Sequence, residues 1–175
     1  MASNNIKIFL FSAFLYFTLL SGFFLNESLN GGAYKDWLGA NLNPIKDFSK
    51  NFYETLYNYD KYNHRHSPVY LIFLSNFLRF DFSFETIRLI HLHLSIPLVI
   101  IFYKCLKVQF NSVDKKILQL LSLIIFLSPT FRSLSIWPDS RLPGLIFFIL
   151  SAYYFIKFLK KPDYKNTWFC SISLI

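Results

Sequence analysis

The residues best suited to chemistry gather in two polar stretches. The first is residues 26–68, NESLNGGAYKDWLGANLNPIKDFSKNFYETLYNYDKYNHRHSP, with Asp36 near its start and Asp60, His64, Arg65 and His66 at its close. Asp36 follows a double glycine and precedes Trp37. A carboxylate beside aromatics can act as a general base or bind a divalent cation, although a lone loop acid is more often simply solvated. The run His64-Arg65-His66-Ser67-Pro68 can bind a phosphate or, equally, cap the helix that follows. The second stretch, SPTFRSLSIWPDSRLP at 128–143, carries Arg132, Asp139 and Arg141, while Arg88 heads the run RLIHLHLSI. Charges that interrupt apolar runs are costly in lipid and tend to face a cavity or a partner. The divalent cation that Asp36 could bind would be Mg²⁺ or Mn²⁺. His91 and His93 point about 200° apart on a helix, which makes them packed residues and not a metal pair.

Composition says what surrounds these groups. The 175 residues are 54% hydrophobic and 21% aromatic, with 22 phenylalanines and only 16% charged residues. Soluble domains carry about 25% charge, so this chain has too little polar surface to cover a soluble globule. Several uncharged runs approach the roughly 20 residues that cross a bilayer as helix. The expected class is therefore an all-α, polytopic transmembrane bundle. The net charge of +8 does not indicate nucleic acid, because the lysines and arginines are scattered between apolar runs and form no basic face or recognition motif. Cys105 and Cys170 sit in or beside apolar segments, as packed thiols do.

The chain divides into a first span over 6–25, an outer loop over 26–67, a short or re-entrant helix over 68–80, and spans over 86–103 and 117–128. An outer segment over 129–143, a span over 144–160 and the start of another over 167–175 complete it. The first apolar run lacks a small-x-small cleavage pattern, which favours an uncleaved helix over a signal peptide. Within the loop, Asn43-Pro44 reads as a helix start, and Phe48, Phe52, Leu56 and Tyr59 follow at helical spacing. Such an aromatic amphipathic helix lies either at the headgroup level or on the protein's own core. Lysine clusters at 104–116 and 157–161 belong on the cytoplasmic side by the positive-inside rule. That assignment puts 128–143 on the same outer side as 26–68 and lets 68–103 cross only once.

The order of these segments resembles a known family. A first span, a loop with an early acid, HSPVYLIFLSNFL, RLIHLHLSI and LSPTFRSLSIW are similar to the N-terminal third of the GT-C superfamily. These are integral membrane glycosyltransferases, here of the protein-mannosyltransferase-like kind, that take a sugar from a polyprenyl-phosphate carrier. The resemblance implies that Asp36 is the catalytic acid of the first loop, deprotonating the acceptor or helping to hold a metal. His66 and Pro68 match the family's re-entry motif, with Ser67 in place of its first proline. Arg88 and Arg132 match its recurring arginines and would neutralise carrier phosphate, with Arg65 and Arg141 on the same side. Many members pair acids at the first-loop site, whereas here Lys35 precedes a lone Asp36 and Asp139 would have to supply the second carboxylate.

The resemblance further implies a site on the periplasmic face of a bacterial inner membrane and a glycan, lipid or protein acceptor. Family members have more spans than 175 residues hold, and the sequence stops inside the apolar run WFCSISLI, so a fragment is expected. Two other classes stay open: a non-catalytic scaffold whose loop docks a partner, and a transporter fragment. The transporter would require polar residues along a helix through the bilayer midplane, where this chain has mostly Ser and His.

Overall fold

The computed structural model describes residues 2–28, 32–64 and 66–173, and every regular element among them is helical. Three helices are long and apolar enough to cross a membrane: Ile6–Phe24, Phe84–Gln109 and Arg141–Lys160. The first belongs to α1 (Ala2–Phe24), which buries Leu15, Leu19 and Phe23 and leaves Phe9, Phe14, Phe17 and Phe24 exposed. An outward face so rich in phenylalanine is poorly suited to water and well suited to acyl chains.

After α1, the chain turns at Gly32, whose φ of 77° is a left-handed conformation that glycine adopts without strain. There α2 (Ala33–Asp36) begins. It runs through a π-helical turn at Trp37–Asn41 into α3 (Leu42–Lys50), so Asn43-Pro44 lies inside a continuous helical path and does not start one. The physical reason lies in the proline. Pro44 has no N–H for the carbonyl of Ala40 and its ring crowds that carbonyl, and the wide π turn just ahead makes room. The aromatic helix is also broken in two at Asn51, an extended residue whose side chain accepts a hydrogen bond from the Glu54 N–H and starts α4 (Phe52–Tyr57). Ala33, Trp37, Ile45 and Phe48 are buried, so this segment sits on the protein's own core.

A 3₁₀ turn at Tyr59–Tyr62 leads to α5 (Val69–Arg79), an apolar helix of 11 residues. At 1.5 Å per residue it is about 16 Å long, about half a bilayer core. It packs against α3, and Arg79 Nη2 donates to the Phe48 carbonyl at 2.7 Å. The near-continuous pair α6 (Phe84–His93) and α7 (Ser95–Gln109) then runs the full length of the bundle. Next, α8 (Lys115–Leu123) with its 3₁₀ extension Ile124–Leu127 meets α9 (Pro129–Ile136) at a 70° bend. Ser128-Pro129 makes that bend: Pro129 has no N–H to continue the first helix, and the Ser128 hydroxyl caps the second through the Phe131 N–H. The chain continues into α10 (Arg141–Lys160), which packs on α7 and on α11 (Tyr164–Ile172).

The bundle has two chemically different ends. At one, Lys7 and Lys116 line a common groove and Lys160 donates to the Val108 carbonyl, so the lysines of α7, α8 and α10 lie together. At the other, residues 128–143 pack directly on the segment after α1. The Trp137 indole donates to the Glu27 carbonyl at 2.7 Å, and Asn41 Nδ2 donates to the Pro138 carbonyl at 3.2 Å. The two polar stretches of the sequence are thus joined in space.

Candidate functional site

Where the two stretches meet, α2, the π turn, the segment before α5 and the start of α10 enclose a cavity of about 520 Å³. Asp36, the last residue of α2, reaches it from one side, and Asp139 and Arg141, at the head of α10, from another. Arg141 grips Asp139 with two bonds, Nε to Oδ1 at 2.7 Å and Nη2 to Oδ2 at 2.6 Å, and the Arg141 N–H adds a third at 2.8 Å. The same Nη2 reaches Asp36 Oδ2 at 2.7 Å. The two acids differ in setting: the Asp139 side chain is 3% exposed and that of Asp36 47%. Burial pushes the Asp139 carboxyl up, but the side-chain and backbone bonds from Arg141 outweigh it and hold the group below its ordinary value.

Across the cavity, Asn41 and His64 make a wall. His64 Nε2 lies 2.7 Å from Asn41 Oδ1, and His64 Nδ1 accepts the His66 N–H at 3.3 Å, which assigns the ring its Nε2–H tautomer. Tyr59 Oη fixes the His66 backbone by donating to its carbonyl at 3.0 Å, while the His66 ring stays exposed. The helix-capping role open to this segment falls to Ser67, whose hydroxyl accepts from the Val69 N–H. The floor is Tyr70. Its hydroxyl donates to His91 Nδ1, and His91 Nε2 donates to the Leu134 carbonyl at 2.7 Å, a chain that ties α5, α6 and α9 together.

Of the residues singled out by sequence, Asp36, His64, His66, Ser67, Asp139 and Arg141 share this cavity, whereas Arg88 and Arg132 do not line it. Both lie at the same end of the bundle, but each has found a partner elsewhere. Arg132 forms a bidentate pair with Glu27, Nε to Oε1 at 2.9 Å and Nη2 to Oε2 at 2.6 Å, and also reaches the Thr18 carbonyl at 2.9 Å. Arg88, 7% exposed, donates Nη1 to Asn26 Oδ1 at 2.9 Å and lays its guanidinium 3.7 Å from the centre of the Trp137 ring. Among the described residues, Arg141 is the arginine that lines the cavity, and it is shared between two acids. Arg65 lies outside the described residues. His91 is buried in the Tyr70 chain, and His93 bonds Tyr16 at 2.9 Å on another face.

The cavity also contains groups that sequence reasoning passed over. Asn41 and Tyr70 are a common residue in a loop and one of eleven tyrosines, with nothing local to mark either. Glu27 did carry a signal: it is the first acid after α1, and an arginine interrupting an apolar run calls for a carboxylate.

A divalent cation does not fit this donor set. Both Asp139 oxygens and one Asp36 oxygen are taken by Arg141, so a cation would have to displace a guanidinium held by several bonds. Among the described residues, no group of three His, Cys, Asp or Glu is placed to hold a metal ion. Comparison with protein-family models, curated proteins and solved structures found no match to the chain.

Proposed function

We propose that the chain is the N-terminal part of a GT-C-like membrane glycosyltransferase, moving a sugar from a polyprenyl-phosphate carrier to a glycan, lipid or protein acceptor. The observation that carries this reading is the half-exposed Asp36 carboxylate, held by Arg141 at a cavity at the head of a membrane-length helix. At about 520 Å³ the cavity is within the roughly 300–1,000 Å³ of small-molecule sites. Its position at the end of α10 suits a substrate whose lipid tail stays in the bilayer while its head sits in water.

The chemistry assigned to it is an inverting transfer. An acceptor hydroxyl oxygen attacks the anomeric carbon and passes its proton to Asp36. The bond from that carbon to the carrier phosphate breaks, and its electron pair leaves on the phosphate oxygen. Arg141 links the two halves of the step. As Asp36 takes up a proton its hold on Nη2 weakens, and that cationic donor can turn toward the departing phosphate. His66 would stand beside it as a second donor. No step requires a metal. The lysine-rich opposite end supports an outward, periplasmic orientation for the cavity.

Asp36→Asn in the full-length protein tests this. Release of polyprenyl phosphate from polyprenyl-phospho-hexose should fall by about 100-fold or more, the usual share of a general base, while expression and membrane insertion stay unchanged. Undiminished turnover would remove Asp36 from the mechanism.

A non-catalytic scaffold is favoured by one observation, the exposed Tyr53 and Tyr57 on α4. Of the Phe48, Phe52 and Leu56 face that a docked partner would use, Phe48 is buried in the core, Phe52 is partly buried and Leu56 is exposed. Under the scaffold reading, Asp36→Asn is silent.

A further inference from the structure

The opposite end of α10 carries a second hollow that takes no part in the proposed transfer. It measures about 530 Å³ and lies between the end of α7, the last turns of α10 and the start of α11. Four lysines line it, Lys157, Lys160, Lys161 and Lys165, against a single acid, Asp163. That acid is engaged as the cap of α11, accepting the Lys165 N–H at 3.3 Å. Among the described residues none of the four lysines is in an ion pair. Lys160 is turned to the Val108 and Gln109 carbonyls at the end of α7, and Lys157 lies over the Tyr153 and Tyr154 rings. Four like charges drawn into one concavity repel one another unless an anion joins them.

The walls identify the anion. Tyr154 and Phe169 stack at 4.8 Å between centroids and line the hollow, giving it an aromatic side. On α11, Tyr164, Trp168 and Ile172 are exposed, and tyrosine and tryptophan favour the headgroup level of a bilayer. The hollow lies one helix, 20 residues or about 30 Å, from Arg141, which is a bilayer core apart. We infer that this hollow binds the phosphodiester headgroup of an anionic phospholipid in the leaflet opposite the transfer cavity. The lysines meet the phosphate, and the aromatic side meets the glycerol and upper acyl chain. Basic hollows between helices at a cytoplasmic interface suit this ligand. The inference rests on α10 crossing the membrane and is independent of the transfer reaction.

The test uses the full chain in phosphatidylcholine nanodiscs containing a minor fraction of phosphatidylglycerol or cardiolipin, with retained lipid counted by native mass spectrometry. The wild type should retain the anionic lipid over phosphatidylcholine. The pair Lys157→Gln and Lys165→Gln should lower that retention by roughly 30-fold, the effect of two interfacial lysines. The pair Lys115→Gln and Lys116→Gln, which removes the same charge at the same end but outside the hollow, should leave it intact. Equal losses in both pairs would mean only a diffuse surface charge and would overturn the site. Displacement of the lipid by excess inorganic phosphate would also overturn it, assigning the hollow to a free anion. A readout needing no variant is Trp168, which is 61% exposed while Trp37 and Trp137 are buried. Its emission should shift on adding anionic lipid to phosphatidylcholine discs, and an unchanged spectrum would count against the site.

Discussion

Arg141 divides one guanidinium between two carboxylates of unequal burial, and that inequality sets what each acid can do. Asp139 is enclosed and gripped on both oxygens, which suits it to stay ionised and hold the arginine in place. Asp36 has one oxygen on Arg141 and a side that faces the cavity, which suits it to exchange a proton. Asp139→Asn should therefore act on stability first. Removing one partner of a buried pair costs about 3–5 kcal/mol, and the partial exposure of Arg141 brings the expected loss nearer ~2 kcal/mol. The pH dependence follows from the lowered carboxyl of Asp139. Its contribution is complete above the ordinary Asp value of about 3.9 and disappears as pH falls through the lower folded value. Thermal unfolding across acid pH should show the wild type losing an increment that Asp139→Asn never had, so the two curves converge at the acid end. Parallel curves would mean that the pair adds nothing.

Among the elements, the junction of α1 with α9 rests on a glycine. A methyl group on Gly22 would lie 2.0 Å from Glu27 Oε2 and 3.0 Å from Arg132 Nη2. The Glu27 side chain can swing away, but only by giving up its bidentate hold on a largely buried arginine. Gly22→Ala is expected to destabilise the protein by about 1–3 kcal/mol. The same change in a Glu27→Gln, Arg132→Gln background should cost much less, as a double-mutant cycle by thermal unfolding would report. Equal costs in both backgrounds would place the effect elsewhere.

This junction also marks how far the sequence could be read. The membrane-length helices α1 and α10 follow from uncharged runs with basic flanks, and α5 was visible as a run too short to span, because each is a local pattern. Residues 129–143 read only as an outer segment, and the helix α9 that Ser128-Pro129 starts within it was not seen. The pairing of Glu27 with Arg132 joins residues 105 positions apart, and the Tyr70–His91–Leu134 chain joins three elements, so no local spacing encodes either. The π turn before Pro44 escaped notice because Asn-Pro has the form of a helix start whether or not a helix already precedes it.

At the scale of the whole molecule, the two ends differ: lysine clusters with few acids at one, and at the other the paired acids and arginines, together with Lys35, Lys46, Lys50 and Lys61 of the segment after α1. Lysine clusters in the sequence already implied that 26–68 and 128–143 share a side, and the two do pack together. What sequence could not supply was which charges meet. Of the four arginines that sequence placed on the side of Asp36, the fold brings Arg141 to it, while Arg88 and Arg132 bond elsewhere and Arg65 lies outside the described residues. The transfer reaction and the lipid site both stand on one claim, that these two ends lie on opposite faces of a membrane. Cysteine labelling tests it most directly. With Cys105 and Cys170 replaced by serine, Ser140→Cys beside the cavity and Ser112→Cys in the link between α7 and α8 are exposed in turn to a membrane-impermeant maleimide on intact cells. The predicted result is labelling at position 140 and protection of position 112 until the cells are opened. Labelling of 112 from outside, with 140 protected or equally labelled, would contradict the account.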